Sequence, residues 1–218
     1  EGNNNDNNNN NNNGVTLKLQ MCASLQGNSQ AVATPINLAQ HSYFNLAGHD
    51  SSEGILNHTL QTPNAYAYTP TDETCIPTKK IQYLDHDAAM DFRHPKELQL
   101  ALKQYASNHL SLENVEDIVG VARSSNTWNS TKEPWGIDHN YLFKKTEPIT
   151  TEDKNCDLSV AAIVQHENRR LTVFTDAPGM QVYTAHYLGE AFSCCRELAK
   201  DQAATYTKPW QAICLETQ

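Results

Sequence analysis

The residues best suited to chemistry stand in the segment TPINLAQHSYFNLAG, residues 34–48. His41 is followed closely by Tyr43 and Phe44, and Asn37 and Asn45 flank the group. An imidazole titrates near neutral pH and can give or take a proton there. Aromatic faces stack on the C–H faces of a small ring, and amides hydrogen-bond to its hydroxyls. Standing alone, a histidine beside Tyr and Phe is ordinarily a structural residue. The converging polar groups are what point to a ligand of the sugar kind.

Three further segments offer partners. AICLETQ, residues 212–218, places Glu216 at the end of an apolar run. A carboxylate there is partly desolvated, which raises its pKa and suits a general base; by itself it would read as a solvated strand end. WGIDHNY, residues 135–141, carries Asp138, which reads either as an Asx-capped turn or as an acceptor for ligand hydroxyls. Asp138 and His139 together suggest a metal, but no further ligand follows at a helical or hairpin interval, so no metal site is read. DAPGMQVYT, residues 176–184, turns at Pro178-Gly179 and then presents Gln181. That amide reads equally as a cleft-facing donor and as the polar edge of a hairpin. Residues 68–74 and 90–93 read as ordered loops held by side-chain hydrogen bonds. Phosphate-binding, dinucleotide-binding and nucleophile-elbow motifs do not occur.

These groups need a scaffold, and the chain of 218 residues is long enough to bury one good core. Apolar residues make up 39%, a figure lowered by an asparagine tract over residues 3–13. That tract has nothing to bury, so residues 1–14 are expected to be a disordered insertion and residues 15–218 the folded part. The net charge of −9 argues against nucleic-acid or anionic-membrane partners. No apolar run is long enough to span a bilayer as a helix. The six cysteines lack C-x-x-C or zinc-finger spacing and are read as reduced thiols of a cytoplasmic protein.

Hydrophobic periodicity supplies the elements. Val15, Leu17, Leu19, Met21, Ala23 and Leu25 alternate with polar residues, the pattern of a half-buried strand. Leu158, Val160, Ala162 and Val164 alternate likewise, as do Leu171 and Val173. Residues 181–184 and 212–215 are further strand-like runs. Leu98, Ala101, Leu102 and Tyr105 follow helical spacing, with Pro95 placed in a first turn. The sum is a mainly β chain with few short helices, arranged as a sandwich or a pair of twisted sheets.

Taken in order, TPINLAQHSYFNL, TPTDETCIPT, Asp91-Phe92-Arg93, GIDHN, PGMQVYT and CLETQ resemble six segments of the aldose 1-epimerases, or galactose mutarotases. The resemblance spans residues 34–218. It implies an antiparallel galactose-mutarotase-like β-sandwich and interconversion of the α and β anomers of free aldohexoses, without a cofactor. It implies His41 as the general acid toward the ring oxygen and Glu216 as the general base toward the C1 hydroxyl. Asp138 and Gln181 match residues that hydrogen-bond sugar hydroxyls. The expected partner is a free aldohexose, and the expected state a monomer or weak dimer. A non-catalytic sugar-binding protein on the same fold, and an epimerase of a phosphorylated hexose, are the alternatives. Keeping both His41 and Glu216 favours the enzyme, since binding alone needs no acid–base pair.

The sequence departs from the family pattern at three points. Gln40 stands where asparagine usually precedes the histidine. The stretch before GIDHN is longer than usual. The family's upstream Arg-bearing and His-Gly-Gly segments, and its strands after Glu-Thr-Gln, are not found, so the sequence reads as the central part of a longer chain. In isolation such a part is expected to fold poorly or to lack activity, because unpaired edges and half a core would be exposed.

Overall fold

A computed structural model of the chain describes residues 14–25, 33–48, 51, 53–72, 74–110, 135–144, 158–188 and 208–218. The asparagine tract over residues 3–13 lies outside the described residues, as does most of the long stretch before GIDHN. Two compact units divide the chain, Glu1–Leu38 and Ala39–Gln218.

In the first unit the expected strand over residues 15–25 does not form. Its alternating side chains are exposed, Val15 at 99% and Leu17 at 77%. Period-two patterning prepares one face for burial, but a strand exists only when a second strand takes up its backbone hydrogen bonds. Among the described residues none pairs with this segment.

The second unit holds two antiparallel sheets. One has six strands: β1 (Tyr43–Phe44), β3 (Ala65–Thr69), β4 (Gln82–Tyr83), β6 (Asp138–Phe143), β9 (Gly179–Tyr183) and β10 (Ile213–Thr217). Their spatial order is β1-β10-β9-β6-β3-β4. The other is formed by β2 (Thr59–Gln61), β5 (Lys96–Glu97), β7 (Ser159–His166) and β8 (Arg169–Thr175), in the order β5-β2-β7-β8. The expected mainly β, two-sheet architecture is therefore present. Residues 171–173 and 181–183 lie in strands as their patterns require. In β7 a bulge between Val160 and Ala162 shifts the alternation, so Ala161 and Ala162 are both buried.

The helix α1 (Leu98–His109) buries Leu98, Ala101, Leu102, Tyr105 and Ala106, the stripe that its spacing requires. Pro95 does not begin it; the two residues of β5 intervene. No side chain caps the helix. Its first N–H groups, from Leu98 and Gln99, instead donate to the carbonyls of His58 and Leu56 at 2.9 and 3.0 Å, which satisfies orphan donors and fixes the helix to the chain before β2. Among the described residues no helix is long and apolar enough to cross a membrane.

Alternation in the central strands of the six-stranded sheet sorts side chains by face. His139, Tyr141, Met180, Val182, Ile213 and Leu215 point to one side and are buried. They join one apolar cluster with Leu60, Ala162 and Val164 of the other sheet and Leu98 and Leu102 of α1, apart from His139, which is polar. The opposite face carries Asp138, Asn140, Gln181, Tyr183, Cys214 and Glu216. A one-residue slip would exchange the two sets, so burying the apolar set fixes the polar one.

In the two segments read as ordered loops, the described residues are held by side-chain hydrogen bonds. Asp72 accepts from the Thr74 N–H, the Thr74 hydroxyl and the Ile76 N–H, and Asp91 holds Arg93 through paired contacts at 3.0 and 2.8 Å.

Three buried histidines set how the fold responds to acid. Burial pushes His58, His139 and His186 down to about 4, and neighbouring imidazoles at His166, His109 and His186's neighbour His139 add to it. The unfolded chain binds protons near the ordinary histidine pKa, about 6.5, that the folded chain refuses. The stability these histidines contribute is thus complete above that pH and is lost as pH falls toward about 4. Each group contributes a slope of up to about 1.4 kcal/mol per pH unit inside the window. Urea unfolding at pH 7.5 and pH 5.5 is expected to show a clearly lower midpoint at the lower pH; equal midpoints would contradict it.

Candidate active site

The site is assembled on the polar face by strand register. β10 lies between β1 and β9, with Tyr43 opposite Cys214, Cys214 opposite Tyr183 and Glu216 opposite Gln181. β6 continues the row, with Asp138 opposite Tyr183 and Asn140 opposite Gln181. Residues two apart on a strand share a face, so Cys214 with Glu216, Gln181 with Tyr183, and Asp138 with Asn140 all point the same way.

His41 reaches this face from the residues just before β1. Gln40 sets its position. The Gln40 amide Nε2 donates to the Leu215 carbonyl at 2.6 Å, and its Oε1 accepts from the Ser42 N–H at 2.8 Å. The side chain before His41 is thus tied to β10 and the backbone after it to that same side chain. His41 Nε2 then lies 3.3 Å from Glu216 Oε1. The His41 side chain is 53% exposed and that of Glu216 16%, so one is open to a ligand while the other is withdrawn from water.

The entry to β10 is fixed from several sides. Asn45 Nδ2 donates to the Gln211 carbonyl at 2.9 Å, and the Asn45 Oδ1 accepts from the Ala47 N–H. These bonds make Asn45 a positioning residue whose amide is spent on backbone. The Trp210 carbonyl accepts from the Ile55 N–H at 2.8 Å, and the Trp210 indole donates to the Trp135 carbonyl at 2.8 Å. Gly54, at φ +58°, allows this approach, because a Cβ there would stand 2.2 Å from the Trp210 carbonyl oxygen.

Asp138 and Gln181 meet as well. Gln181 Nε2 donates to Asp138 Oδ1 at 2.6 Å. Asp138 opens a strand rather than an Asx-capped turn. Gln181 sits in β9, a central strand between β10 and β6, rather than at a hairpin edge. His139 points to the opposite face and is buried edge-on to Tyr68 and Tyr105, so it shares no ligand with Asp138. The four residues singled out from sequence, His41, Glu216, Asp138 and Gln181, therefore stand on one side of one sheet.

Sequence reasoning passed over Cys214, Tyr183 and Asn140. Each was within reach of the period-two rule, since each lies two residues from a residue already chosen. Tyr43 and Tyr183 flank the histidine, with ring centroids 5.0 and 6.4 Å from that of His41. Gly179 keeps room for Asn140, because a Cβ at that position would approach Asn140 Oδ1 to 2.9 Å.

The electrostatics oppose one another usefully. Burial raises the Glu216 carboxyl above its ordinary value; His41 pulls it back and Asp138 raises it further. Burial also raises Asp138, against the Gln181 hydrogen bond and the His41 charge. Cys214, fully buried, is held protonated by burial and by the two carboxylates.

A withdrawn carboxylate and an open imidazole in contact, beside a carboxylate–amide pair and two tyrosines, are groups that can exchange protons and hydrogen-bond to hydroxyls. Comparison with known proteins identifies the family. The chain belongs to the aldose 1-epimerase family, whose model matches residues 12–218. It is 35% identical over 187 residues to the galactose mutarotase of Mus musculus, covering 85% of this chain and 41% of that protein. It is 28% identical over 186 residues to the aldose 1-epimerase of Escherichia coli, covering 84% of this chain and 41% of that protein. The chain thus spans about two fifths of the length of these relatives. The crystal structure of the GalM/aldose epimerase homologue from C. elegans shares the fold, with a TM-score of 0.52 at 20% identity over 83% of this chain and 41% of that one.

The charges around Glu216 yield a titration test. Followed by carbon NMR of its carboxyl, Glu216 is expected to titrate above the ordinary glutamate value of 4.5. Asp138→Asn should move the midpoint down, and His41→Gln should move it up. Shifts of the same sign in both variants, or none, would show that the three groups do not share one field.

Proposed function

We propose that the protein is an aldose 1-epimerase that interconverts the α and β anomers of a free aldohexose such as galactose or glucose. The observation that supports this most directly is the 3.3 Å approach of His41 Nε2 to Glu216 Oε1, on the polar face of a sheet in a member of this family.

The reaction needs one acid and one base that reach the two oxygens of one hemiacetal carbon. His41, protonated, gives its proton to the ring oxygen as the C1–O5 bond breaks and the bonding pair stays on that oxygen. Glu216, ionised, takes the proton of the C1 hydroxyl, whose oxygen pair becomes the second bond of the aldehyde. Rotation about C1–C2 presents the other carbonyl face, and the reverse transfers close the ring. Each proton moves between a fixed group and the sugar without an ion released to water. Asp138 and Gln181 hold the remaining hydroxyls, and Tyr43 and Tyr183 supply apolar surface for the ring.

The desolvation of Glu216 serves this chemistry. A raised carboxyl pKa makes the carboxylate a stronger base toward a hydroxyl, and the adjoining imidazole keeps it from being raised too far. The phosphorylated-sugar alternative finds less support. A phosphate asks for an unengaged guanidinium, and Arg93 is held by Asp85 at 2.7 Å and Asp91 at 2.8 Å.

The test is polarimetry of α-glucose mutarotation with the natural protein. Glu216→Gln should lower the catalysed rate about 10²–10⁴-fold while sugar still binds. A near-normal rate in that variant would remove Glu216 from the role of base.

A further inference from the structure

The proton-transfer scheme uses His41 and Glu216 but leaves Cys214 without a task. Yet Cys214 is the residue that register places two positions before Glu216 on the same face, opposite Tyr43. Its Sγ, a ring nitrogen of His41 and a carboxylate oxygen of Glu216 all lie within 4.8 Å of one another. Three donors of different elements, sulfur, nitrogen and oxygen, thus converge from two segments far apart in sequence. Neither segment carries metal-ligand spacing by itself; only the pairing of β1 with β10 brings the donors together.

We propose that Cys214, His41 and Glu216 form a binding site for a thiophilic divalent cation, with Zn2+ as its occupant, and that the bound ion blocks the acid–base pair. A tetrahedral Zn2+ with bonds of about 2.0–2.3 Å needs its donors about 3.3–3.7 Å apart. His41 and Glu216 already stand at 3.3 Å. The remaining separations close by rotation of the half-exposed His41 ring and the Glu216 side chain. Three protein ligands leave a fourth position, open toward the exposed side of His41, for water or a hydroxyl.

The donor set selects the ion. A thiolate with an imidazole favours Zn2+ and its soft neighbours and disfavours Mg2+ and Ca2+, which take oxygen. Asp138, on the same face, adds negative field without being needed as a ligand. Binding costs the thiol its proton, which leaves to solvent, so one S–H bond is exchanged for one S–Zn bond with no change of oxidation state. The ion occupies the imidazole nitrogen that would carry the acidic proton and the carboxylate that would accept one. The site itself stands on the positions of the donors; only the blocking of catalysis rests on the function proposed above.

Co2+ is the probe for the test, since a thiolate ligand gives it a charge-transfer band in the near ultraviolet and tetrahedral geometry gives visible bands. The natural protein should show both, and Zn2+ should displace them. Cys214→Ser should lose the charge-transfer band, whereas Cys22→Ser and Cys75→Ser, which remove exposed thiols, should keep it. His41→Gln, a change at an exposed side chain that leaves the core intact, should weaken Co2+ binding more than about tenfold. No band in the natural protein, a band that survives Cys214→Ser, or Co2+ affinity unchanged in His41→Gln would overturn the proposal. Zn2+ should also stop mutarotation, and a chelator should restore it. A protein that shows the cobalt band but never mutarotates glucose refutes the proposed activity and leaves the cation site. An active protein without the band refutes the cation site alone.

Discussion

Everything at the polar face depends on the short antiparallel ladder between β1 and β10. Only two residue pairs form it, Tyr43 with Cys214 and Phe44 with Ile213. So small a ladder would not hold by itself, and it does not have to. Gln40 grips the Leu215 carbonyl on one side of it, and Asn45 grips the Gln211 carbonyl on the other. The four strand residues are thus clamped at both ends by side-chain amides. The histidine between the first clamp and the strand is thereby held beside Glu216, with its Nε2 3.3 Å from Oε1. Gln40, which stands where asparagine usually precedes the histidine, carries one of the two clamps through its amide.

The ladder can be this selective because the far side of the sheet is committed. Ile213, Leu215, Met180 and Val182 are fully buried, and moving any strand by one residue would bring polar side chains into their place. The hydrophobic effect, which has no directional preference, becomes directional through the pleat. It chooses which residues of β6, β9 and β10 share the polar face and leaves them in a partly desolvated row. The raised carboxyls of Glu216 and Asp138 follow from that half-burial, and His41 and Gln181 moderate them. The same strand register brings the buried thiol of Cys214 within 4.8 Å of the donor atoms of His41 and Glu216.

Much of this was legible in the residues. β-Former content and an apolar run mark the strands that carry Gln181 and Glu216, and helical spacing marks the face of Leu98, Ala101, Leu102 and Tyr105, since those patterns are local. The order of six short segments pointed to the family and to His41, Glu216, Asp138 and Gln181. What the residues did not disclose was non-local. The alternation over residues 15–25 is as regular as any in the chain, yet burial and hydrogen bonding of a strand depend on a partner that its own pattern does not name. Cys214 was read only as a reduced thiol, because its neighbours His41 and Tyr43 are supplied by strand pairing across most of the sequence. The turn reading of Asp138, one of the two its segment allows, fails for the same reason: Asp and Asn favour turns locally, and only the pairing of β6 with β9 and β3 draws them into a strand.

The central claim is that His41 and Glu216 act as one unit. A double-mutant cycle on α-glucose mutarotation, with His41→Gln, Glu216→Gln and the two combined, addresses it directly. Groups that work as a unit are strongly non-additive, so the combined variant should be about as slow as the slower single variant. Losses that multiply, with the combined variant slower by the product of the two single effects, would show that the histidine and the glutamate act independently and would contradict the account.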